Sequence, residues 1–227
     1  TDPADLQAAV VAAGADVGLA IDSDADRVLS VDAHGTIEDG DEIIGICAVD
    51  RHERGLLAHD TVVVTVMSNL GFRQGMAARG IRVVDTAVGD RYVLEELDRS
   101  GFSLGGEQSG HVIFRDLAST GDGILTGLSL LDVVKRSGRP LRDLAAATMT
   151  RLPQVLVNVR TDRRDPHLLD KVAPHVRAAE ADLGEHGRVL LRPSGTEPLV
   201  RVMVEAPTDD QARAVAEALA AVVRAAG

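Results

Sequence analysis

Three aspartates stand at alternate positions directly after an apolar run of the chain. The run covers residues 17–21, and Asp22, Asp24 and Asp26 follow it. A short apolar run is typical of a buried strand, and alternate side chains point the same way if the backbone stays nearly extended. Clustered carboxylates repel one another unless a cation lies among them, and their oxygens suit Mg²⁺. We therefore expect a magnesium site here, against the simpler alternative of a solvated acidic turn.

Arg27 closes this acidic segment and is a candidate catalytic residue. A guanidinium forms charge-assisted hydrogen bonds with phosphate oxygens. An arginine that adjoins a metal site therefore indicates a phosphate that shares the metal.

A glycine-rich segment, residues 105–111, separates two predicted short strands. Its three glycines would let the backbone approach a ligand closely. Glu107 and Ser109 can bind hydroxyl groups, although a plain hairpin turn would contain the same residue types. His111 begins an apolar strand and is either a packed core histidine or a general acid or base, because histidine titrates near neutral pH.

A third polar segment covers residues 192–198 and precedes a strand that contains Arg201. A charge inside an otherwise apolar strand needs an anionic partner or a route to solvent. The turn residues that offer backbone N–H groups and hydroxyls, and so an anion-binding nest, are Ser194, Gly195 and Thr196. Together with Arg192 and Arg201 they predict a site for a phosphate dianion. The alternative is an ion pair between Arg201 and a neighbouring carboxylate such as Glu205.

Asp90 and Arg91 stand at the start of a predicted helix. Backbone N–H groups at a helix start favour anions, so both residues are candidates for substrate binding. Aspartate is routine at helix starts, and this signal is weak by itself.

The composition limits the classes of partner. The formal net charge of −11 argues against nucleic acid and anionic membranes, and an aromatic content of 2% nearly excludes stacking platforms for bases or sugars. Cys47 is the single cysteine, which excludes an internal disulfide and fits the cytoplasm. No apolar run is long enough to span a membrane, and the acidic first residues do not resemble a signal peptide.

Alternating strand and helix patterns predict an α/β fold with a mainly parallel or mixed sheet as far as residue 150. The expected strands there cover residues 16–21, 28–31, 36–38, 61–66, 81–84, 102–104 and 111–114, and the expected helices residues 2–14, 39–54, 70–79, 90–99 and 123–135. The pattern changes near Pro153. The following strands 154–160, 188–192 and 199–205 and helices 167–183 and 209–225 predict a smaller α+β unit.

These segments, in this order, resemble the α-D-phosphohexomutase superfamily, and most closely its bacterial phosphoglucosamine mutases. The matching motifs are DSDADR (22–27), MSNLG (67–71), AVGDRYVL (87–94), GEQSGH (106–111), TGDG (120–123) and RPSGTEP (192–198). The resemblance spans nearly the whole chain, and the combination is far more specific than any one motif. Residues 87–94 favour the glucosamine branch over the mannose and glucose branches.

The resemblance implies the C-terminal portion of a four-domain enzyme. Residues 1–40 would end domain 2 with the metal-binding loop, residues 41–150 would form domain 3 with the sugar-binding loop, and residues 151–227 would form domain 4 with the phosphate-binding loop. The chain would then contain one and a part mixed-sheet α/β/α domains, followed by a smaller α+β domain.

The resemblance also implies a role for each candidate residue. Asp22, Asp24 and Asp26 would bind the cofactor Mg²⁺, and Arg27 would contact the catalytic phosphoserine. Glu107 and Ser109 would bind sugar hydroxyls. The phosphate that is not reacting would be bound by Arg192, Ser194, Gly195, Thr196 and Arg201. The implied reaction interconverts glucosamine 6-phosphate and glucosamine 1-phosphate through a phosphoserine enzyme and a bisphosphate. Its product feeds UDP-N-acetylglucosamine and cell-wall synthesis.

Two departures from the family pattern affect these expectations. The nucleophilic serine of the family lies in a Ser-His-Asn-Pro motif, which these 227 residues lack. We therefore expect the N-terminal domains of the same enzyme as partners, no turnover from this chain alone, and leave a homodimer open. Ser23 replaces the usual glycine and would strain the metal loop if its φ were positive.

Three other functions stay open. A phosphatase of the haloacid dehalogenase type would use Asp22 as its nucleophile, although such loops usually continue with Thr or Val; a trapped aspartyl phosphate would favour it. A non-catalytic sugar-phosphate binder would lack a serine-bearing domain in the same gene. A phosphomannomutase or phosphoglucomutase of the same superfamily would be distinguished by substrate assay.

Overall fold

A computed structural model describes residues 3–161, 167–194 and 197–227 of the protein. Contacts between residues divide the chain into two compact units, Thr1–Thr150 and Arg151–Gly227. Each unit has its own buried hydrophobic cluster.

The first unit alternates helices and strands. Its helices are α1 (Ala4–Ala13), α2 (Gly40–Glu53), α3 (Leu70–Ala77), α4 (Asp90–Ser100), α5 (Gly123–Ser137) and α6 (Leu141–Thr148). Its strands are β1 (Val17–Ile21), β2 (Val28–Asp32), β3 (Ile37–Glu38), β4 (Thr61–Thr65), β5 (Arg82–Thr86), β6 (Leu104–Gly106) and β7 (Val112–Phe114). A 3₁₀ turn, Ala58–Asp60, precedes β4.

Strands β1, β2 and β3 form an antiparallel sheet in that order. Ile21 lies opposite Val28 in the register of β1 and β2. The acidic segment 22–27 is therefore the connection of a β-hairpin, and strand pairing holds both of its ends.

The second sheet has the order β5-β4-β6-β7, with β4 parallel to β5 and β6, and β7 antiparallel to β6. Because parallel strands end at one edge, the segments that follow β5 and β6 leave the sheet on the same side. A backbone bridge between Arg27 and His111 joins this sheet to the first one. The fold thus brings the acidic and glycine-rich segments together.

Helix α2 is buried along most of its length, and Ile43, Ile44 and Cys47 are at most 2% exposed. A capping box holds its start. The Asp39 side chain accepts a hydrogen bond from a first-turn amide, and Glu42 accepts one from the Asp39 amide at 3.0 Å. These bonds fix where α2 begins, next to the glycine-rich segment.

The second unit packs two helices on an antiparallel sheet. Its elements are β8 (Gln154–Arg160), α7 (Leu168–Leu183), a 3₁₀ turn (Gly184–His186), β9 (Arg188–Pro193), β10 (Leu199–Glu205) and α8 (Asp209–Ala226), and the strand order is β8-β10-β9. Val200, Val202 and Val204 belong to its core. Since side chains alternate along a strand, Arg201 projects from the opposite face of the sheet.

The structure confirms the α/β alternation and the smaller α+β unit that the sequence predicts. The sequence pattern did not predict α6, which has only two turns. Its buried residues nevertheless follow helical spacing: Leu141, Leu144, Ala145 and Thr148. Within the described ranges, every helix is too short or too polar to cross a lipid bilayer.

Cys47 gives a prediction for the pH dependence of stability. Burial, and then the charge of Asp50, raise the pKa of its thiol from 9.0 to about 12. The folded chain keeps this proton at a pH where the unfolded chain loses it, so stability falls as pH rises from about 9 toward 12. We expect the free energy of unfolding to lose at most about 1.4 kcal/mol per pH unit from this group, measured by urea denaturation. Cys47→Ala should abolish this part of the slope, and an unchanged slope would contradict the prediction.

Candidate functional site

The acidic segment 22–27 is a turn and not an extended strand end. The Ala25 amide donates to the Asp22 carbonyl oxygen at 3.2 Å, and Ala25 has a left-handed φ of 59°. The alternating aspartates would point the same way only along an extended backbone, and the backbone here is not extended. Ser23 is not among the described non-glycine residues with positive φ, so the backbone at that position does not carry the left-handed strain that a serine in place of glycine could have caused.

The aspartates of this turn make only long contacts. Asp22 Oδ1 accepts from the Arg27 amide at 3.3 Å, Asp24 Oδ1 accepts from a neighbouring hydroxyl at 3.4 Å, and Asp26 Oδ2 lies 3.7 Å from His111 Nε2. The three carboxylates have no arginine or lysine partner in the described part of the chain. Their oxygens are ligand atoms of the kind that Mg²⁺ prefers. Within that part, no three His, Cys, Asp or Glu side chains are already arranged to hold a metal ion.

Residues 121–123 fix the acidic turn to the start of α5. The Gly123 amide donates to the Ala25 carbonyl oxygen at 2.8 Å, and a Cβ at Gly123 would lie 2.6 Å from the Arg27 carbonyl oxygen. Asp122 caps α5 through the amides of its first turn. The sequence predicts a helix start and a family motif (120–123) here, but not this close backbone contact. The available signal was a glycine just after a capping aspartate, since that glycine permits a close backbone approach.

The glycine-rich segment turns between β6 and β7 and packs against the protein's own backbone. The Gly110 amide donates to the Glu107 carbonyl oxygen at 3.0 Å, and a Cβ at Gly110 would lie 2.2 Å from the Val28 carbonyl oxygen. A Cβ at Gly105 or Gly106 would also collide with nearby strand atoms. The expectation that these glycines admit a ligand is therefore wrong, because protein atoms occupy that space.

Two further backbone contacts hold the glycine-rich segment in place. The Val28 amide donates to the Gly110 carbonyl oxygen at 3.1 Å, and the Gly40 amide donates to the Gln108 carbonyl oxygen at 3.0 Å. The first contact joins the segment to β2, and the second joins it to the start of α2.

Glu107 and Ser109 have different surroundings. Glu107 Oε1 accepts a hydrogen bond from the Gly89 amide at 3.0 Å, which ties the segment after β5 to the glycine-rich segment. Ser109 is exposed and lines, with Arg27 and Asp22, an open depression of about 550 Å³. A depression of that volume is large enough for a small-molecule ligand. The structure therefore brings a hydroxyl, a guanidinium and a carboxylate around one space.

His111 is a buried histidine that faces two carboxylates. Its side chain is 3% exposed, and Nε2 lies 3.7 Å from Asp26 Oδ2 and 4.0 Å from Asp90 Oδ2. Gly121 lies so close that a Cβ there would be 2.3 Å from Nε2. Nδ1 is buried, and no described residue offers it a hydrogen bond. The imidazole thus connects the acidic turn with the start of α4.

Asp90 and Arg91 begin α4 but point to different neighbours. The Asp90 side chain is 63% exposed and its carboxylate lies toward His111. Arg91 Nε donates to Glu95 Oε1 at 2.7 Å, and this hydrogen bond, followed by the charge of Glu95, raises the pKa of Arg91. Arg91 therefore lies along the surface of its own helix.

Two arginines lie side by side in the second unit. Arg201 of β10 is directly opposite Arg192 of β9 in the register. Partial burial, and then the positive charge of Arg201, lower the pKa of Arg192. Neither side chain has an ion pair with another described residue, and Arg201 Nε is buried without a hydrogen-bond acceptor. Like charges opposite each other repel, and an anion between them would relieve that repulsion.

The alternative partner for Arg201 is excluded. Glu205 lies opposite Arg188, and its oxygens accept from Arg188 Nε at 3.0 Å and from a terminal nitrogen at 3.1 Å. The Glu205 side chain is fully buried in this pair. The idea that Glu205 neutralises Arg201 is therefore wrong.

The predicted anion nest is described only in part. The Ser194 amide donates to the Leu199 carbonyl oxygen at 2.8 Å, and its hydroxyl accepts from the Glu197 amide at 3.3 Å. Gly195 and Thr196 lie outside the described residues. Ser194 is thus held by the backbone beside the arginine pair.

Two family models match the chain. Phosphoglucomutase/phosphomannomutase, alpha/beta/alpha domain III, matches residues 39–152, and the phosphoglucomutase/phosphomannomutase C-terminal domain matches residues 156–222. The phosphoglucosamine mutase of Frankia alni is 64% identical over 222 residues, which are 97% of this chain and 49% of that protein. The phosphoglucosamine mutase of Anoxybacillus flavithermus is 52% identical over 99% of this chain and 50% of its own length. The chain thus spans about half the length of the curated relatives it matches.

Solved structures share the fold. A phosphoglucomutase/phosphomannomutase family protein from Burkholderia thailandensis superposes with a TM-score of 0.80 at 24% identity, over 99% of this chain and 50% of that one. The N-acetylphosphoglucosamine mutase of Aspergillus fumigatus, in complex with GlcNAc-6P and magnesium, gives a TM-score of 0.75 at 24% identity, over 92% of this chain and 48% of its own.

Gly110→Ala should destabilise the first unit and separate its two sheets. Gly110 has a φ of 91°, and the new Cβ would lie 2.2 Å from the Val28 carbonyl oxygen. Left-handed strain costs roughly 1–2 kcal/mol, and overpacking typically adds about 1–3 kcal/mol. Gly138→Ala is the matched control, because Gly138 also has positive φ but nothing lies within 4 Å of its Cβ position. Equal losses in urea denaturation would contradict the predicted close approach.

Arg201→Gln should leave the second unit at least as stable in phosphate-free buffer, because the repulsion from Arg192 is removed. Inorganic phosphate should raise the melting temperature of the wild-type chain by binding the folded state, and this rise should vanish in the variant. Arg188→Gln is the control: it leaves Glu205 buried without this partner and should cost roughly 3 kcal/mol. A phosphate effect that survives Arg201→Gln would contradict the predicted anion site.

Proposed function

The chain belongs to the phosphoglucomutase/phosphomannomutase family, and we propose that it forms part of an enzyme that interconverts glucosamine 6-phosphate and glucosamine 1-phosphate. The observation that carries the proposal is the backbone bridge between Arg27 and His111. It supports the proposal because it joins Arg27, which ends the acidic turn, to His111, which ends the glycine-rich segment. The names of the curated relatives support glucosamine phosphate as the substrate.

We assign residues 1–40 to the end of a second domain, residues 41–150 to a third and residues 151–227 to a fourth. The family models support this assignment because they begin at residue 39 and change between residues 152 and 156. The division of contacts after Thr150 supports the second boundary. The catalytic serine would come from N-terminal domains of the same enzyme, since the curated relatives are about twice as long.

Asp22, Asp24 and Asp26 are the proposed ligands of Mg²⁺. When bound, the ion would offset negative charge on the transferring phosphoryl group. Arg27 would contact the same group: its guanidinium is exposed and has no partner among the described side chains. The carboxylates would need to rotate toward the ion, and their long contacts in this structure oppose such a rotation only weakly.

Glu107 and Ser109 would bind sugar hydroxyls, and Asp90 and Arg91 would border the same substrate. Glu107 presents one oxygen to the Gly89 amide, which orients the carboxylate and leaves its other oxygen for a hydroxyl. His111 would move a proton through Nε2, because that atom faces Asp26 and Asp90. Because the His111 side chain is buried, Asp26 and Asp90 would lie between its imidazole and the bound substrate.

The non-reacting phosphate would bind at Arg192, Ser194, Gly195, Thr196 and Arg201. The two adjacent guanidiniums support this assignment because neither has a carboxylate partner in the described chain. Paired guanidiniums bind a phosphate dianion through several charge-assisted hydrogen bonds. We further propose that the enzyme is cytoplasmic. Whether it forms a homodimer is a separate question for experiment.

The proposal is tested by joining this chain to the N-terminal half of the Frankia alni relative. We expect the chimera to convert glucosamine 6-phosphate with Mg²⁺ and a bisphosphate activator, and the chain alone to show no turnover. Asp24→Asn should lower the activity of the chimera by more than about tenfold, because a proposed metal ligand is lost. Asp143→Asn, on exposed α6 surface, is the matched control.

Three outcomes would contradict parts of the proposal. Turnover by the chain alone would contradict its dependence on a serine-bearing domain. Faster conversion of mannose or glucose phosphates would assign the chain to another branch of the family. Sugar-phosphate binding without turnover by a folded chimera would favour a non-catalytic binder.

A further inference from the structure

The segment that follows β5 is held to the rest of the first unit at two points. It comprises residues 87–89 and leads into Asp90 and Arg91, the first residues of α4. At its end, the Gly89 amide donates to Glu107 Oε1 at 3.0 Å. Ala87 and Val88 are exposed, so the segment has little packing of its own. Its position therefore depends on these points of attachment.

The second point of attachment is an ion pair at the end of β5. Arg73 of α3 donates through one terminal nitrogen to Asp85 Oδ1 and through the other to the Thr65 carbonyl oxygen at 3.3 Å. The Arg73 side chain is 17% exposed. It therefore contacts the ends of two neighbouring strands, β4 and β5, at the edge where the site is built.

The strand ends themselves continue this attachment. The Val66 amide donates to the Thr86 carbonyl oxygen at 3.0 Å, and the Thr86 hydroxyl donates to the Val64 carbonyl oxygen at 3.3 Å. Asp85 thus precedes a residue that is fixed to β4, and Gly89 follows three residues later. Gly89 itself has a φ of 135°, a conformation that favours glycine. The direction in which the chain leaves β5 decides whether its amide reaches Glu107.

We propose that Arg73 and Asp85 are positioning residues for the sugar-binding carboxylate. Their ion pair fixes the end of β5, and the end of β5 places the Gly89 amide against one oxygen of Glu107. Glu107 can then offer its other oxygen to a hydroxyl of a hexose phosphate in a defined direction. This inference rests on the proposed function for its substrate, but the contact between Gly89 and Glu107 can be measured without substrate.

The competing explanation is an ordinary ion pair that stabilises α3 against β5. In that case a substitution would lower stability and leave the geometry of Glu107 unchanged. The two explanations differ in how the Gly89 amide exchanges with solvent and in whether reversing both charges restores binding.

The test uses Arg73→Glu, Asp85→Arg and the double variant with both changes in the full chain. Two measurements are made: hydrogen exchange of the Gly89 amide by NMR, and binding of glucosamine 6-phosphate by calorimetry. Each single variant should exchange the Gly89 amide faster and bind the sugar phosphate about tenfold more weakly, because a displaced binding group is lost. The double variant should restore both values toward wild type. Mg²⁺ and inorganic phosphate affinities should stay unchanged throughout.

The ion pair between Asp98 and Arg115 is the matched control. It also joins a helix to the residue after a strand, with side chains 50% and 38% exposed, and Asp98 lies in the third turn of α4, seven residues after Arg91. Arg115→Glu should leave Gly89 exchange and sugar-phosphate affinity unchanged. Asp85→Asn, which keeps the size of the side chain, replaces Asp85→Arg if the latter fails to fold.

Unchanged exchange of the Gly89 amide in folded single variants would overturn the inference. So would a double variant that remains as weak as the single ones. If the wild-type chain does not bind glucosamine 6-phosphate at all, the proposed function is weakened, while the exchange measurement still decides the role of Arg73 and Asp85.

Discussion

The backbone contact between Val28 and Gly110 is the constraint on which the site of the first unit depends. It places the acidic hairpin turn next to the glycine-rich turn, although more than 80 residues separate them in the sequence. The contact tolerates no side chain at position 110, since the Val28 carbonyl oxygen occupies the place of a Cβ. Gly40 and Gly123 meet the same requirement where α2 and α5 begin. The candidate site residues of the first unit are therefore positioned mainly by backbone packing.

The second unit holds two like charges side by side. Strand register places Arg192 opposite Arg201, and partial burial, followed by the positive charge of Arg201, lowers the pKa of Arg192. The sheet holds the two guanidiniums there despite their repulsion. The core valines of β10, on the other face, supply the apolar burial that offsets this repulsion. At the far end of the same strands, Arg188 and Glu205 form a paired, buried contact. One sheet thus holds both a neutralised pair and an unneutralised one.

Features decided by neighbouring residues could be predicted from the sequence. The capping box of Asp39 and Glu42, the caps at Asn69 and Thr208 and the alternation of strands and helices depend on local chemistry. The acidic turn could not be predicted in detail, because its left-handed residue is Ala25 and no residue type marks it. The role of Gly105, Gly106 and Gly110 could not be predicted for a related reason. The atoms that lie close to them come from distant parts of the chain. The partner of Glu205 likewise depended on the register of β9 and β10.

The distribution of partners separates structural charges from candidate functional ones. Arg51 is bonded to Asp116 and to the Leu56 carbonyl oxygen, and Arg188 is bonded to Glu205, so these arginines are used within the fold. Arg27, Arg192 and Arg201 have no ion-pair partner in the described part of the chain, although carboxylates outnumber cations in the sequence. An arginine left unpaired in an acidic protein is available to bind an anion. The same reasoning applies to Asp22, Asp24 and Asp26, which lack a lysine or arginine partner. The unpaired carboxylates of the first unit are thus available to a cation, and the unpaired guanidiniums of the second unit are available to an anion.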